Sequence, residues 1–252
     1  MVEDMKRFST KPFGWQVGFV GPPCYFDASP TDFLRAAPGN FGVHGRAVRA
    51  DVPTETAILD AALELASCGA DLIAVVGSNW SKLGLESERT MRAARSRIED
   101  TCGKKVLLAL LSIIESLRNI GAKRIALNTS YSTPDWQKRL ADFFAVSGFS
   151  VAYAGSFVDQ GLISNYQNLE EHVGFFPRAM AEDSIDQVWA KAGDVDAIVV
   201  TGIPSFTDPQ SGQTKRMAHL TETLGRRVPV PIICTDTALY QGIVEVLGPR
   251  GA

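Results

Sequence analysis

The chain has 252 residues, 45% hydrophobic and 21% charged, the balance of an ordinary globular protein with room for one large or two modest domains. A net charge of −3, with Lys and Arg scattered along the chain, argues against the basic stripe that a nucleic acid partner needs. No apolar run approaches the roughly 18 residues of a membrane span, so the expectation is a cytoplasmic protein without a membrane partner.

Cys24, Cys68, Cys102 and Cys234 form no Cys-x-x-Cys pair and are expected to be reduced thiols. His44, His172 and His219 show no ligand spacing, so no metal site is expected. The stretch Gly18-Phe-Val-Gly21 is neither a phosphate loop nor a dinucleotide fingerprint, which removes nucleotide and nicotinamide cofactors.

In chain order, Trp15 to Val20 is a short β-rich run that closes on Gly21-Pro22-Pro23 and predicts a strand entering a loop. Ile58, Ala61, Ala62, Leu65 and Ala66 form the apolar stripe of a helix within 51–68, capped by Thr54 and ended by Gly69. A buried strand over 72–76, an Arg-rich helix over 86–100 and a strand over 104–109 follow. Next come a helix over 112–120, a strand over 124–128, and a helix over 134–146 with Pro134 in its first turn. The rest reads as strand 149–154, helix 176–192, strand 197–200, helix 214–224, strand 230–234 and helix 237–247. Strict alternation predicts parallel sheets with helices on both faces.

Two segments repeat one pattern. Ala70-Asp-Leu-Ile-Ala-Val-Val-Gly-Ser-Asn79 and Val195-Asp-Ala-Ile-Val-Val-Thr-Gly-Ile-Pro204 each run from an Asp through apolar residues to a Gly, and the glycines stand 125 positions apart (202 − 77). Val17-Gly-Phe-Val-Gly-Pro-Pro-Cys-Tyr25 and Ile125-Ala-Leu-Asn-Thr-Ser-Tyr131 form a second pair. These repeats predict an α/β protein of two pseudo-symmetric Rossmann-like lobes with a cleft between them: 1–112 plus 226–252 as the first lobe, 113–225 as the second. Open α/β sheets bind ligands at the carboxyl ends of their strands, which directs attention to Gly77 and Gly202.

The ordered set Val20-Gly-Pro-Pro23, Val76-Gly-Ser-Asn79, Asn128-Thr-Ser-Tyr131 and Val200-Thr-Gly-Ile203 resembles the aspartate/glutamate racemase superfamily, in its arylmalonate decarboxylase and maleate isomerase branch. Ser116-Leu-Arg-Asn-Ile-Gly-Ala-Lys-Arg-Ile-Ala-Leu127 and Arg139-Leu-Ala-Asp-Phe-Phe144 resemble it too, and the likeness spans roughly residues 14–248. The resemblance implies a cofactor-independent enzyme, a lyase or isomerase, that binds a small carboxylate between the lobes and works through an enolate-like intermediate. In that superfamily cysteines stand at two strand ends, and in the decarboxylase only the second is kept. Here the matching positions are Gly77 and Gly202, so by this alignment both thiols are absent.

The resemblance also assigns carboxylate or oxyanion binding to Gly77, Ser78, Asn79, Tyr131, Gly202 and the amide of Ile203, with Pro22 and Pro23 as a wall and Asn128, Thr129 and Ser130 as further donors. Such groups stabilise developing negative charge in a dry site. Candidates for proton transfer are Tyr131, Cys24, Asp236 and Asp208, with Cys234 and His44 also weighed. Duller readings stand beside these: turn glycines, helix caps at Ser78, Asn79 and Asp236, and a core Tyr131. The loops 25–41 and 159–176 are expected to cover the site, with Trp80 as an apolar wall. A hydrolase or hydratase using the same pocket to position water, and a non-catalytic small-acid binding protein, remain as alternatives. A homo-oligomer also stays open.

Overall fold

The computed structural model describes residues 14–23, 28–37, 39–130, 132–171, 175–202, 205–207, 214–216 and 221–248. The first half runs β1 (Trp15–Gly21), α1 (Ala28–Ala36), β2 (Phe41–Ala47), α2 (Glu55–Ser67), β3 (Leu72–Val75), a 3-10 turn (Trp80–Lys82), α3 (Glu88–Cys102), β4 (Lys105–Leu108) and α4 (Ala109–Asn119). The second half begins β5 (Arg124–Ser130), α5 (Pro134–Val146), β6 (Ser150–Ser156), α6 (Tyr166–Glu171), β7 (Phe175–Pro177) and α7 (Arg178–Ala192). It continues with β8 (Ala197–Val200), β9 (Ser205–Thr207), β10 (Thr214–Arg216), α8 (Thr221–Leu224), β11 (Ile232–Cys234) and α9 (Thr235–Leu247).

Four strands make each main sheet, in the orders β2-β1-β3-β4 and β6-β5-β8-β11, and all their pairings are parallel. The second order is the first with β5, β6, β8 and β11 in place of β1, β2, β3 and β4, so the lobes share one topology. Their central strands Leu72–Val75 and Ala197–Val200 are buried along their whole length, as parallel strands covered on both faces must be. A small third sheet, β10-β9-β7, joins the second lobe.

The repeated Asp and Gly have separate physical roles at opposite ends of these strands. Asp71 accepts from the backbone N–H of Gln16 at 2.9 Å and donates its own N–H to the Gln16 carbonyl at 2.7 Å. In the second lobe Asp196 accepts from the N–H groups of Lys123 and Arg124, both at 2.7 Å, and donates to the Arg124 carbonyl at 2.7 Å. Each Asp thus pins the register of β3 on β1, or of β8 on β5. At the other end Gly77 and Gly202 adopt φ of 79° and 68°, the left-handed region that glycine enters without a Cβ penalty.

Helices α4 and α9 join the lobes. Helix α9 begins at the end of β11, yet its Leu239, Tyr240 and Ile243 share a core with Val17, Phe19, Phe33 and Leu72 of the first lobe. The Tyr240 hydroxyl donates to the Ser29 carbonyl at 3.0 Å. Helix α4 begins at the end of β4, and its Ile113, Ile114 and Leu117 lie in a core that runs from Ile58 and Met91 to Ile125, Leu127 and Leu140. The two helices also pack on each other. Because each leaves the carboxyl edge of its own sheet and is buried against the other lobe, both carboxyl edges face the junction.

Thr54 caps α2 by accepting from the Ala57 N–H, as its spacing predicts. Three expectations need correction. Segment 226–252 does not return to the first lobe as a unit, because β11 pairs with β8 and only α9 crosses back. The helix expected over 214–224 is a strand over Thr214–Arg216 and a helix over Thr221–Leu224, since pairing of 214–216 with β9 outweighs the helical pattern. Loops 25–41 and 159–176 contain α1, α6 and β7 rather than only irregular chain. Among the described residues no helix is long and apolar enough to cross a membrane.

The N–H groups of Arg124 and Lys123 hold the Asp196 carboxyl below its usual value of 3.8, so its stabilising contribution is present above that pH and is lost as pH falls through the lowered value. Asp196→Ala is expected to lower the calorimetric melting temperature at pH 7. The difference from the parent should close as the pH drops below 3.8. A gap that persists unchanged into strong acid would refute the clamp.

Candidate active site

The first-lobe edge is set by the turn after β3. Gly77 reverses the chain, and its carbonyl accepts from the Ser81 N–H at 3.0 Å. A Cβ at Gly77 would meet the Cβ of Trp80 at 3.3 Å, a tight contact, and the positive φ adds strain to any side chain there. Ser78 is buried, and Asn79 stands at the N-cap of the 3-10 turn without a side-chain capping bond. Its amide oxygen is buried and has no partner among the described residues. A purely capping role for Asn79 is therefore not the one it plays.

Three residues beyond this pair anchor the turn. The Trp80 indole donates to the Ala50 carbonyl at 2.9 Å, which makes it a buried brace rather than an open wall. The Ser81 hydroxyl donates to the Ser78 carbonyl at 3.2 Å and accepts from the Leu110 N–H at 3.1 Å. That second bond satisfies an amide in the first turn of α4, whose N-cap Leu108 has no side chain able to do so. Lys82 is buried, with its ammonium 5.2 Å from the Phe143 ring centroid on α5 and 3.7 Å from Glu86. Burial lowers its pKa and Glu86 opposes that shift. The loop carrying Ser78 and Asn79 is thus tied to both lobes.

The second-lobe edge comes from β5 and β8. Side chains alternate along a strand, so Thr129 and Thr201 continue the face of Leu127 and Val199 in the inter-lobe core. Asn128 continues the opposite face, with Ala126 and Val200. The hydroxyls of Thr129, Ser130 and Thr201 belong to residues with 0% exposure and have no partner among the described residues. Ser130 has φ of 47°, a left-handed conformation that costs a non-glycine residue roughly 1 kcal/mol. Strain of that kind with an unused hydroxyl fits a functional position better than a packing one.

Asn128 is already engaged within its lobe. Its amide nitrogen donates to the Ser184 hydroxyl at 2.8 Å, and its oxygen accepts from the Ser130 N–H and Gln160, both at 3.2 Å. One N–H of its amide remains beyond these bonds. Thr201 is the reverse case: it was not singled out from sequence, though a polar residue beside Gly202 at a strand end was the available signal.

Pro22 is half-buried and Pro23 exposed, just past the end of β1. Asp236 is buried in the first turn of α9. Cys234 is the N-cap of that helix and its sulfur accepts from the Thr237 N–H, and its register with Val200 places it on the face away from the inter-lobe core. His44 lies within β2 opposite Gly18, and Cys68 and Cys102 sit at helix ends, so none of them is at the carboxyl edge. Tyr131, Cys24, Asp208 and Ile203 lie outside the described residues.

The model of the arylmalonate decarboxylase family matches residues 50–250. Among solved structures, unliganded arylmalonate decarboxylase superposes with a TM-score of 0.73 at 20% identity over 94% of both chains. Maleate isomerase from Pseudomonas putida S16 gives 0.67 at 17% identity over 92% of both chains. A cysteine-to-serine mutant of Nocardia farcinica maleate cis-trans isomerase, carrying a covalently bound succinylcysteine intermediate, gives 0.65 at 18% identity over 92% of both. No curated protein sequence matches the chain significantly. The structural likenesses establish the fold, and the family model, spanning well over half of the chain, establishes that it belongs to the arylmalonate decarboxylase family.

Proposed function

We propose that this protein is a cofactor-independent lyase that decarboxylates a small malonate-type acid held between the lobes. The observation that carries the reading is the set of buried hydroxyls without partners among the described residues, Thr129, Ser130 and Thr201, on an edge that faces the Ser78 and Asn79 turn of the other lobe. One carboxylate of the substrate is bound by the Ser78 and Asn79 side and the second lies in the apolar part of the junction. When the carbon–carbon bond to that second group breaks, carbon dioxide leaves and the electron pair passes onto the oxygens of the retained carboxylate as an enolate. The hydroxyls and the Ile203 amide stabilise that charge, and a proton then returns to carbon.

The glycines favour decarboxylation over isomerisation. A covalent succinylcysteine, as in the Nocardia farcinica isomerase, needs a thiol, and Gly77 and Gly202 stand where the family resemblance places the cysteines. An enolate route needs only charge stabilisation and a proton. Tyr131 is the acid that suits it, since a phenol hydroxyl can donate a proton. Asp236, buried in the first turn of α9, is a second carboxyl-bearing candidate for proton transfer. Cys24 and Asp208 flank the same edges in sequence and are the other candidates.

Turnover of a panel of malonates, with maleate and cyclic amides as controls, is expected to release carbon dioxide from a malonate only. Hydrolysis of an amide, or tight carboxylate binding with no turnover at all, would replace this reading by a hydrolase or a binding protein. Tyr131→Phe and Ser78→Ala should each lower kcat on the order of 10²-fold, the usual loss for one oxyanion donor.

Ser130→Gly separates chemistry from packing. Relief of left-handed strain offsets the entropy that glycine costs, so stability measured by denaturant should stay within about 1 kcal/mol of the parent while activity falls. Full activity in that variant would remove Ser130 from the site. Alkylation with iodoacetamide, with Cys24 and Cys234 shown by mass spectrometry to be modified, is expected to leave turnover intact. Loss of turnover would instead give the proton to a thiol.

A further inference from the structure

A polar cluster at the carboxyl end of β6 has no part in the chemistry above. One oxygen of Asp159, Oδ2, accepts from the Ser156 N–H, the Ser156 hydroxyl and the Gln137 amide, all at 2.8 Å, and from the Tyr166 hydroxyl at 3.0 Å. Gln137, on α5, is buried and uses its Nε2 a second time, donating to the Ser132 carbonyl at 2.8 Å. Its two N–H groups thus connect the Asp159 carboxylate to the turn that follows β5.

The same loop grips that turn at two more places. The Phe157 N–H donates to the Ser130 carbonyl at 2.8 Å. Gln160 donates at 3.2 Å to the Asn128 oxygen that also accepts from the Ser130 N–H. Residues 128, 130 and 132 are therefore each held from 156–160 or from Gln137, around a serine whose backbone is strained. Left-handed Ser130 persists only if its surroundings over-determine it, and these bonds are what surrounds it.

From this geometry we infer that Asp159 and Gln137 are positioning residues that hold the Thr129 and Ser130 hydroxyls in place for the substrate. The cluster does not touch the substrate; it acts through the turn. A pre-organised donor is worth far more than a mobile one, and a misplacement of about 1 Å can cost 10²-fold in rate. The catalytic consequence rests on the function proposed above, whereas the restraint on the turn does not.

The experiment therefore has two arms. Hydrogen exchange of the full chain reads the restraint directly: in Gln137→Ala and Asp159→Ala the amides of Ser130 and Ser132 should exchange at least about tenfold faster, with β3 and β4 unchanged. Tyr166→Phe keeps the ring, removes one donor, and should give a smaller acceleration at the same amides. Unchanged exchange at Ser130 and Ser132 would overturn the inference whatever the enzyme does.

The second arm is a double-mutant cycle in kcat and KM. Gln137→Ala should lower kcat about tenfold or more with little change in KM, and should cost much less when Ser130→Gly is already present. Equal losses in both backgrounds would mean that Gln137 only supports the fold, and would also overturn the inference. Absence of turnover in the parent protein would refute the proposed reaction, and the exchange result would then decide the positioning role alone.

Discussion

The structure depends on one exchange of hydrophobic surface. Neither sheet is covered by its own helices alone: α4 leaves the first lobe to complete the core of the second, and α9 makes the return journey. An exposed helix face bearing Ile113, Ile114 and Leu117, or Leu239 and Ile243, would leave each side chain short of the 1.5–3 kcal/mol that burial contributes. Satisfying both helices at once fixes how the lobes meet. It turns the carboxyl edges of two separate sheets toward one junction.

Within that symmetric frame the two edges carry different equipment. The first lobe supplies Ser78 and Asn79 on a short turn braced by Trp80, Ser81 and Lys82, the last two reaching α4 and α5. The second supplies hydroxyls on the ends of β5 and β8, one of them on a backbone that a serine enters only at a cost. The glycines at 77 and 202 are the shared element, and their φ values explain why each strand can end in a tight reversal. In both places the backbone conformation favours glycine.

Much of the fold was legible because local signals agreed with global ones. Thr54 reads as a cap and is one, Pro134 opens α5, and the runs 72–75 and 197–200 are continuous and apolar because both faces are buried. Where a remote partner decided the outcome, sequence reading failed. Thr214 to Leu224 shows a helical pattern, yet 214–216 pairs with a strand that follows Gly202. Asn128 sits in a motif of polar residues, but a strand alternates its side chains, and its amide bonds to Ser184 and Gln160, which no local spacing foretells. Gln137 and Asp159 stand on separate elements with nothing in their spacing to suggest that they meet.

By itself the sequence determined the duplication, the alternation of strands and helices, and the paired Asp and Gly that open and close β3 and β8, because these depend on residue type and near-neighbour spacing. Family likeness in its short motifs pointed to a carboxylate site at the strand ends. Only the tertiary structure decided which polar residues at those ends are spent inside the protein and which have no partner among the described residues. That division depends on the face each side chain takes and on groups brought from far along the chain, 56 positions for Asn128 on Ser184 and 29 for Ser81 on Leu110. Hydrogen bonding is a matter of distance and direction, and neither is set until the two lobes have exchanged their helices and closed on each other.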